Sequence, residues 1–221
     1  MAALARAAAD VRPARREDAP FLAWAMLTAG RGHLQRGWYD IAFDLPASAS
    51  LEVLRRLVLT DAPSWWRYDR FLVAEADGQP AAALSGFGSS DYEGSETALQ
   101  EAVADLGWSQ QDLTAVWARG AYVFTCTLGG PDDDAEAWTI ENVATRDGFR
   151  GRGLAGQLIE AAVEKGRLAG FGQAQISFLI GNAPAERAYA KAGFGLAEER
   201  RHPDFEAAVG APGLKRFSRA L

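Results

Sequence analysis

The segment Phe149-Arg150-Gly151-Arg152-Gly153-Leu154-Ala155, with the helix it opens, constrains the fold of this chain more than any other stretch. From Leu154 to Leu168 the pattern is that of an amphipathic helix. Leu154, Leu158, Ala162 and Ala155, Ile159, Val163 form adjoining apolar rows at i, i+4 spacing, opposite Glu160, Glu164 and Lys165. Gly170-Phe171-Gly172 ends it. Trp138 to Thr145, just before the turn, reads as a strand, and Ala174 to Ile180 as a mostly apolar, buried one. Such a helix has to bury its apolar rows on a sheet. The turn itself has a second property. A helix N-terminus leaves backbone N–H groups unpaired and carries partial positive charge, which suits a phosphate or pyrophosphate. Gly151 and Gly153 let backbone N–H groups come close without a Cβ in the way, and Arg150 and Arg152 add cationic arms.

Three readings of this turn compete. A Walker loop needs Gly-x-x-x-x-Gly-Lys-Ser/Thr, which the segment lacks. Gly151, Gly153 and Gly156 fit the Gly-x-Gly-x-x-Gly fingerprint of a dinucleotide site, which would make the chain a nicotinamide oxidoreductase. That fold wants the unit near the start of its domain and an acid about twenty positions on. Here the unit lies in the last third of the chain, and Phe171 to Gln175 contains no acid. The third reading is a glycine turn with surface arginines.

The rest of the chain interleaves helices and strands. A short strand is expected near Val11 to Ala14, then a helix carrying Phe21, Leu22 and Met26, with Asp18 as its cap and Pro20 in its first turn. Gly30, Gly32 and Gly37 break the pattern, and the aromatic stretch Trp38 to Phe43 links to a second helix from about Ser50 to Leu59. Phe71 to Ala76 and Ala81 to Phe87 read as strands around an Asp77-Gly78 turn. Ser95 to about Arg119 is helical, Tyr122 to Leu128 a further strand, and Asp132-Asp133-Asp134 a solvated turn in the loop before Trp138. Ala183 to Ala192 forms a short helix that Gly193 terminates. Leu196 to Arg201 and Leu214 to Arg219 supply the last two strands. The fold class is α/β around one sheet. Residues 1–10 read as a flexible arm and 11–221 as one domain.

Composition narrows the function. Across 221 residues, 29 acidic and 23 basic side chains leave a net charge of −6, which argues against a general nucleic-acid binder. An apolar fraction of 48% excludes disorder as the main state. No apolar run approaches the roughly 18 to 20 residues that span a bilayer, so no membrane partner is expected. One cysteine, Cys126, excludes an intrachain disulfide and a cysteine-rich zinc site, and with two histidines no metal is expected. Cys126 reads as a buried strand residue. The N-terminus lacks the pattern of a secretory signal, which suggests a cytoplasmic protein.

The glycine turn does not stand alone. Arg150-x-x-Gly153-x-Ala155 after a strand resembles the pyrophosphate-binding motif of the GNAT family of N-acetyltransferases, which bind acetyl-coenzyme A (acetyl-CoA). Further on, Asn182-x-x-Ala185-x-x-x-Tyr189-x-Lys191-x-Gly193-Phe194 resembles the second motif of that family. The resemblance is strongest from about Trp138 to Phe194. It implies a mixed, mostly antiparallel central sheet flanked by helices, with Ser95 to Arg119 as a helical insertion.

The resemblance also implies roles. The backbone of Val143, Ala144 and Thr145 would pair with the pantetheine arm, in a gap where the strands flanking the motif helix splay apart. The N–H groups of Gly151, Arg152, Gly153, Leu154 and Ala155, with Arg150, would hold the pyrophosphate. Asn182 would contact the cofactor and cap the helix after it; a plain N-cap is the alternative. Glu141 is the candidate general base, or else a rim charge in an ordinary ion pair. Tyr189 is the candidate acid for the leaving thiolate, or else a core tyrosine. Trp38, Tyr39 and Asp40 are expected on the acceptor side, against aromatic packing on the sheet as the alternative, and His202 flanks that pocket or is a plain loop residue. The activity implied is transfer of an acyl group, acetyl above all, from acetyl-CoA to a small-molecule or peptide amine by direct attack. A non-catalytic acyl-CoA-binding module of the same fold is the alternative. A homodimer is compatible with the sequence.

Overall fold

Asp77 and Gly78 turn the chain through backbone angles of φ 54° and 75°, the paired left-handed geometry that matches the twist of a two-residue hairpin. The strands on either side are the start of the central sheet. The computed structural model describes residues 10–126 and 137–221. Its strands are β1 (Asp10–Pro13), β2 (Phe71–Ala76), β3 (Gln79–Phe87), β4 (Ala137–Thr145), β5 (Gln173–Leu179), β6 (Gly195–Arg201) and β7 (Gly213–Ala220). They form a seven-stranded sheet in the order β1-β2-β3-β4-β5-β7-β6. Neighbours are antiparallel except β4 and β5, which are parallel.

The helices are α1 (Ala19–Arg31), α2 (Trp38–Phe43), α3 (Ala47–Leu57), α4 (Ser95–Val103), α5 (Gln110–Gly120), α6 (Leu154–Leu168), α7 (Ala183–Lys191) and α8 (Pro203–Val209). α1 to α5 cover one face of the sheet, in a core with Phe71, Val73, Ala83 and Ala144. α6 and α7 cover the other, against Leu72, Leu84, Ile140, Ile176 and Phe217. The apolar rows read along α6 point inward: Leu154, Leu158, Ile159 and Val163 are all buried. Each such side chain contributes about 1.5–3 kcal/mol. A small third cluster joins Leu34, Tyr122, Cys126, Leu179, Phe205 and Leu214.

Several local expectations are corrected. The helical insertion is two helices, because Gly107 (φ 72°) breaks it and Ser109 starts α5 by exchanging hydrogen bonds with Asp112. The aromatic link Trp38 to Phe43 is itself a helix. The expected strand at Tyr122 is instead a 3₁₀ turn, Ala121–Thr125. Its β-prone residues find burial in the third cluster rather than in a ladder, a tertiary override of propensity. The segment after His202 forms α8. Asp18 does not cap α1 with its side chain; it accepts from Arg12 at 2.7 and 2.9 Å and from the Arg15 N–H at 2.7 Å, tying β1 to the turn. The arm up to residue 9, residues 127 and 128 of the expected strand, and the Asp132 to Asp134 turn lie outside the described residues.

Candidate active site

β4 and β5 lie side by side only at their beginnings. Their register runs from Ala137 opposite Gln173 to Ile140 opposite Ile176 and ends there. β4 continues along β3 as far as Thr145 opposite Ala82, while β5 continues along β7 as far as Leu179 opposite Leu214. The two central strands therefore part at Glu141, and the backbone edges that face the gap have no ladder partner. A polar, extended molecule can pair with such edges as a strand would.

Glu141 sits where the gap opens. It lies opposite Ser85 on the face that α1 and α2 cover. The next residue, Asn142, adopts φ 56° and forms a bulge: the register passes from Ser85–Glu141 to Ala83–Ala144, so two β4 residues face one on β3. The bulge resets the alternation, and Val143 joins the α6 face while Ala144 joins the α1 face. Glu141 is half-buried, and its carboxylate has no hydrogen bond or ion pair among the described residues, which sets aside the rim ion pair. Burial pushes its pKa up to about 7.

The turn after β4 has the expected form. Gly151 and Gly153 both take positive φ, 75° and 82°, and Gly153 leads directly into α6. A Cβ at either would meet nothing within 4 Å, so the space in front of the helix N-terminus is open. Arg150 pairs with Asp147 at 2.9 Å, and Arg152 with Asp77 at 2.8 Å across the β2–β3 turn. Both pairs are exposed, and pairs of that kind contribute about 0–1 kcal/mol, so a bound anion can take over either arginine. A cleft of about 590 Å³ opens beside this turn, lined by Phe21, Trp24 and Thr28 of α1 and by Arg146, Asp147 and Arg150.

Tyr189 comes from the opposite face, on α7. It is 7% exposed and its ring meets Phe178 edge-on at 5.4 Å. Its hydroxyl has no hydrogen-bond partner among the described residues, and burial raises its pKa well above the phenol range. Asn182 caps α7, accepting from the Ala185 N–H at 3.3 Å.

The acceptor-side candidates separate. Tyr39 is 3% exposed and accepts a hydrogen bond from Trp66 Nε1 at 3.0 Å. Asp40 accepts from Arg31 at 2.9 and 2.6 Å and from the Gly37 N–H at 2.9 Å. Burial works against the Asp40 charge, but these bonds outweigh it and hold the carboxyl below its usual range. Trp38 packs between Tyr39 and Trp117 of the insertion and donates to the Gly120 carbonyl at 3.1 Å. His202 caps α8, its Nδ1 accepting from the Asp204 N–H at 3.2 Å, and makes its polar contacts there. Sequence reasoning missed Asn142, Trp66 and Tyr122. Burial first, and the charge of Asp40 second, push the Tyr122 pKa up to about 12. The one signal for Asn142 was an asparagine inside an apolar strand, a residue type that tolerates left-handed backbone.

The sheet parts in its centre, and a glycine turn leads into a helix N-terminus after the strand that leaves the gap. The model of the Acetyltransferase (GNAT) family matches residues 38–194, and the chain belongs to that family. No curated protein matches it in sequence. Solved structures share the fold at low identity. An N-acetyltransferase from Staphylococcus aureus Mu50 superposes with a TM-score of 0.67 at 18% identity, covering 95% of this chain and 100% of its own. The Salmonella typhimurium protein yncA, solved with acetyl-CoA, gives 0.55 at 14%, covering 97% and 94%. The polyamine N-acetyltransferase of Drosophila melanogaster, which forms N-acetylagmatine, gives 0.55 at 15%, covering 96% and 100%. Among the described residues no cluster of His, Cys, Asp or Glu forms a metal site, and no helix is long and apolar enough to cross a membrane.

Proposed function

We propose that residues 11–221 act as one acyl-CoA-dependent N-acetyltransferase domain, transferring an acetyl group to a cationic amine by direct attack. The observation that carries this reading is Glu141: a carboxylate without a partner among the described residues, with a pKa of about 7, set where β4 leaves β5. An amine attacks only when neutral. Bringing a lysine-like amine from about 10.4 to neutrality at pH 7 costs about 4.6 kcal/mol. A base with a pKa near the working pH removes much of that obstacle. Glu141 takes the amine proton on the α2 face. Tyr189, kept protonated by burial, donates a hydrogen bond to the departing thiolate from the α7 face as the acid of the reaction. The amine nitrogen adds to the thioester carbonyl carbon, and the tetrahedral adduct collapses by breaking the C–S bond, so one group must take the amine proton and another must stabilise the departing sulfur.

The same reading assigns the cofactor contacts. Acetyl-CoA supplies the activated thioester. The free β4 edge at Val143, Ala144 and Thr145 pairs with its pantetheine amides. The N–H groups from Gly151 to Ala155, with Arg150 and Arg152, hold the pyrophosphate, and the open space at both glycines fits that group. Asn182 contacts the cofactor while capping α7. Trp38, Tyr39, Asp40 and His202 belong to the acceptor side. The carboxylate of Glu141 and the polyamine substrate of one structural relative support a cationic acceptor. The test is thiol release from acetyl-CoA with agmatine, spermidine and an N-terminal peptide amine, paired with calorimetry of coenzyme A binding. Amine-dependent thiol release supports the enzyme. Tight coenzyme A binding without thiol release for any amine identifies a binding module instead.

A further inference from the structure

Ser85 and Glu141 are ladder partners across β3 and β4, the last regular pair before the bulge. Residues directly opposite in an antiparallel pair send their side chains to the same face, with Cβ atoms about 4.5–5.5 Å apart. That face is the one α1 covers. Phe71, which pairs with Ser85 from β2, and Ala83, two positions before it, both lie in that core. Ser85 is fully buried, and its Oγ accepts the Asn142 amide at 2.9 Å. A hydroxyl has one proton to give besides its two lone pairs. No acceptor among the described residues takes the Ser85 proton. A buried donor left without an acceptor is costly. Glu141 is the converse, a carboxylate with no donor among the described residues.

The other polar groups on the elements around Glu141 are engaged elsewhere. On α1 and α2, Arg31 and Asp40 neutralise each other. Tyr39 of α2 accepts from Trp66, and burial keeps it protonated. Thr139, two positions before Glu141 on β4, accepts the Gln175 amide of β5. Ser85 is the donor that the strand pairing itself sets against the carboxylate. No hydrogen bond joins the two in this structure, but a glutamate side chain is long enough to bridge that separation by rotation alone.

We propose that Ser85 is a positioning residue for Glu141. Asn142 fixes the Ser85 oxygen from one side, and the hydroxyl donates to one oxygen of the Glu141 carboxylate on the other. The second carboxylate oxygen is left to face the gap and take the amine proton. This rests on Glu141 being the base. It also gives the Asn142–Ser85 bond a second consequence: the bond that pins the bulge also orients the donor for the residue just before it.

The test reads Glu141 directly. Carboxyl ¹³C NMR of the whole protein, with the signal assigned by Glu141→Gln, gives its titration midpoint without any substrate. A donor to the charged form lowers a carboxyl pKa, so its loss raises it. Ser85→Ala is expected to move the midpoint up by about half to one pH unit, and Ser85→Thr, which keeps a hydroxyl, to restore it. Asn142→Ala breaks the same Asn142–Ser85 bond but leaves the serine hydroxyl, so its midpoint should move less than that of Ser85→Ala. In Ser85→Ala the acid limb of kcat/KM for the best amine should move with the midpoint, while the acetyl-CoA KM stays constant. In the wild-type protein the Ser85 hydroxyl proton should move downfield as Glu141 ionises, a readout that needs no variant to fold. An unmoved midpoint in folded Ser85→Ala overturns the proposal. Equal shifts in Ser85→Ala and Asn142→Ala overturn it as well, because the bulge alone would then account for both. Absence of turnover with every amine refutes the base reading, while the titration still decides whether the two side chains are paired.

Discussion

Asn142 donates from Nδ2 to Ser85 Oγ at 2.9 Å, and this bond between β4 and β3 pins the bulge that ends the regular run of β4. Both residues are buried. The left-handed backbone of Asn142 shifts the strand by one position, so Glu141 keeps the acceptor face while Val143 turns to the α6 side. Asn142→Ala is expected to lower stability by about 1–3 kcal/mol for the lost buried bond, with up to about 1 more because alanine tolerates left-handed backbone less well than asparagine. At about 2–4 °C per kcal/mol for a chain of this size, a melting curve resolves it. Asn142→Gly removes the bond but not the conformation, and should lose less. An alanine variant with unchanged Tm and kcat would show that the bulge holds itself.

Gly153 separates charge from shape. Its Cβ position is open space, so a side chain there does not crowd the backbone; only the positive φ resists substitution. Asn and Asp both tolerate that conformation. Gly153→Asn should keep coenzyme A affinity within about tenfold, and Gly153→Asp should abolish it, because only the carboxylate opposes a pyrophosphate at a helix N-terminus. Both should fold. Calorimetry on the two variants checks this, and equal affinities would move the phosphate away from the turn.

Tyr189→Phe removes one oxygen from a ring that keeps its edge-on contact with Phe178. General acid catalysis contributes about 10²- to 10⁴-fold, so kcat should fall within that range. Coenzyme A affinity and Tm should change little, since the hydroxyl has no partner to lose among the described residues. A core role predicts the reverse, a lower Tm with full turnover per folded molecule.

The pH dependence follows from Glu141. With a pKa of about 7, it is an active base only above that value, so kcat/KM should rise tenfold per pH unit below about 7 and level off above it. Stability has the opposite sign. A carboxyl raised in the folded state stabilises the fold below its unfolded value of 4.5, and that contribution is lost as pH climbs through about 7. Glu141→Gln should therefore raise Tm at pH 8 relative to wild type, leave it nearly equal at pH 4.5, and cut kcat by about 10²-fold or more. Melting curves at the two pH values, beside a rate profile, test both signs.

Asp40→Asn breaks a two-point contact with Arg31, whose side chain is 30% exposed. Loss of such a charged hydrogen bond costs about 1.5–3 kcal/mol, lessened here by solvent. If Asp40 also serves the acceptor, the amine KM rises with the acetyl-CoA KM unchanged. A fall in Tm with both KM values constant would make it purely a clamp on α2.

Much of this protein was legible in the order of its residues. The α6 helix, the hairpin at Asp77-Gly78, the glycine turn and the Asn182 cap all depend on neighbours within a few positions, where periodicity, backbone freedom and capping chemistry act. Other features needed contacts between residues far apart. The bulge at Asn142 exists because Ser85, 57 positions away, offers a hydroxyl. The parting of β4 from β5 depends on each strand staying with a different neighbour. Tyr39, expected on the acceptor side or packed on the sheet, is buried where Trp66, 27 positions on, donates to its oxygen. Tyr122 left the sheet because Phe205 and Leu214 gave it a better place to bury. Local sequence determined which elements form and where an anion can sit. The tertiary structure alone decided the electrostatics of the site, because the pKa of Glu141 is set by how little water and how few partners the assembled fold leaves around it.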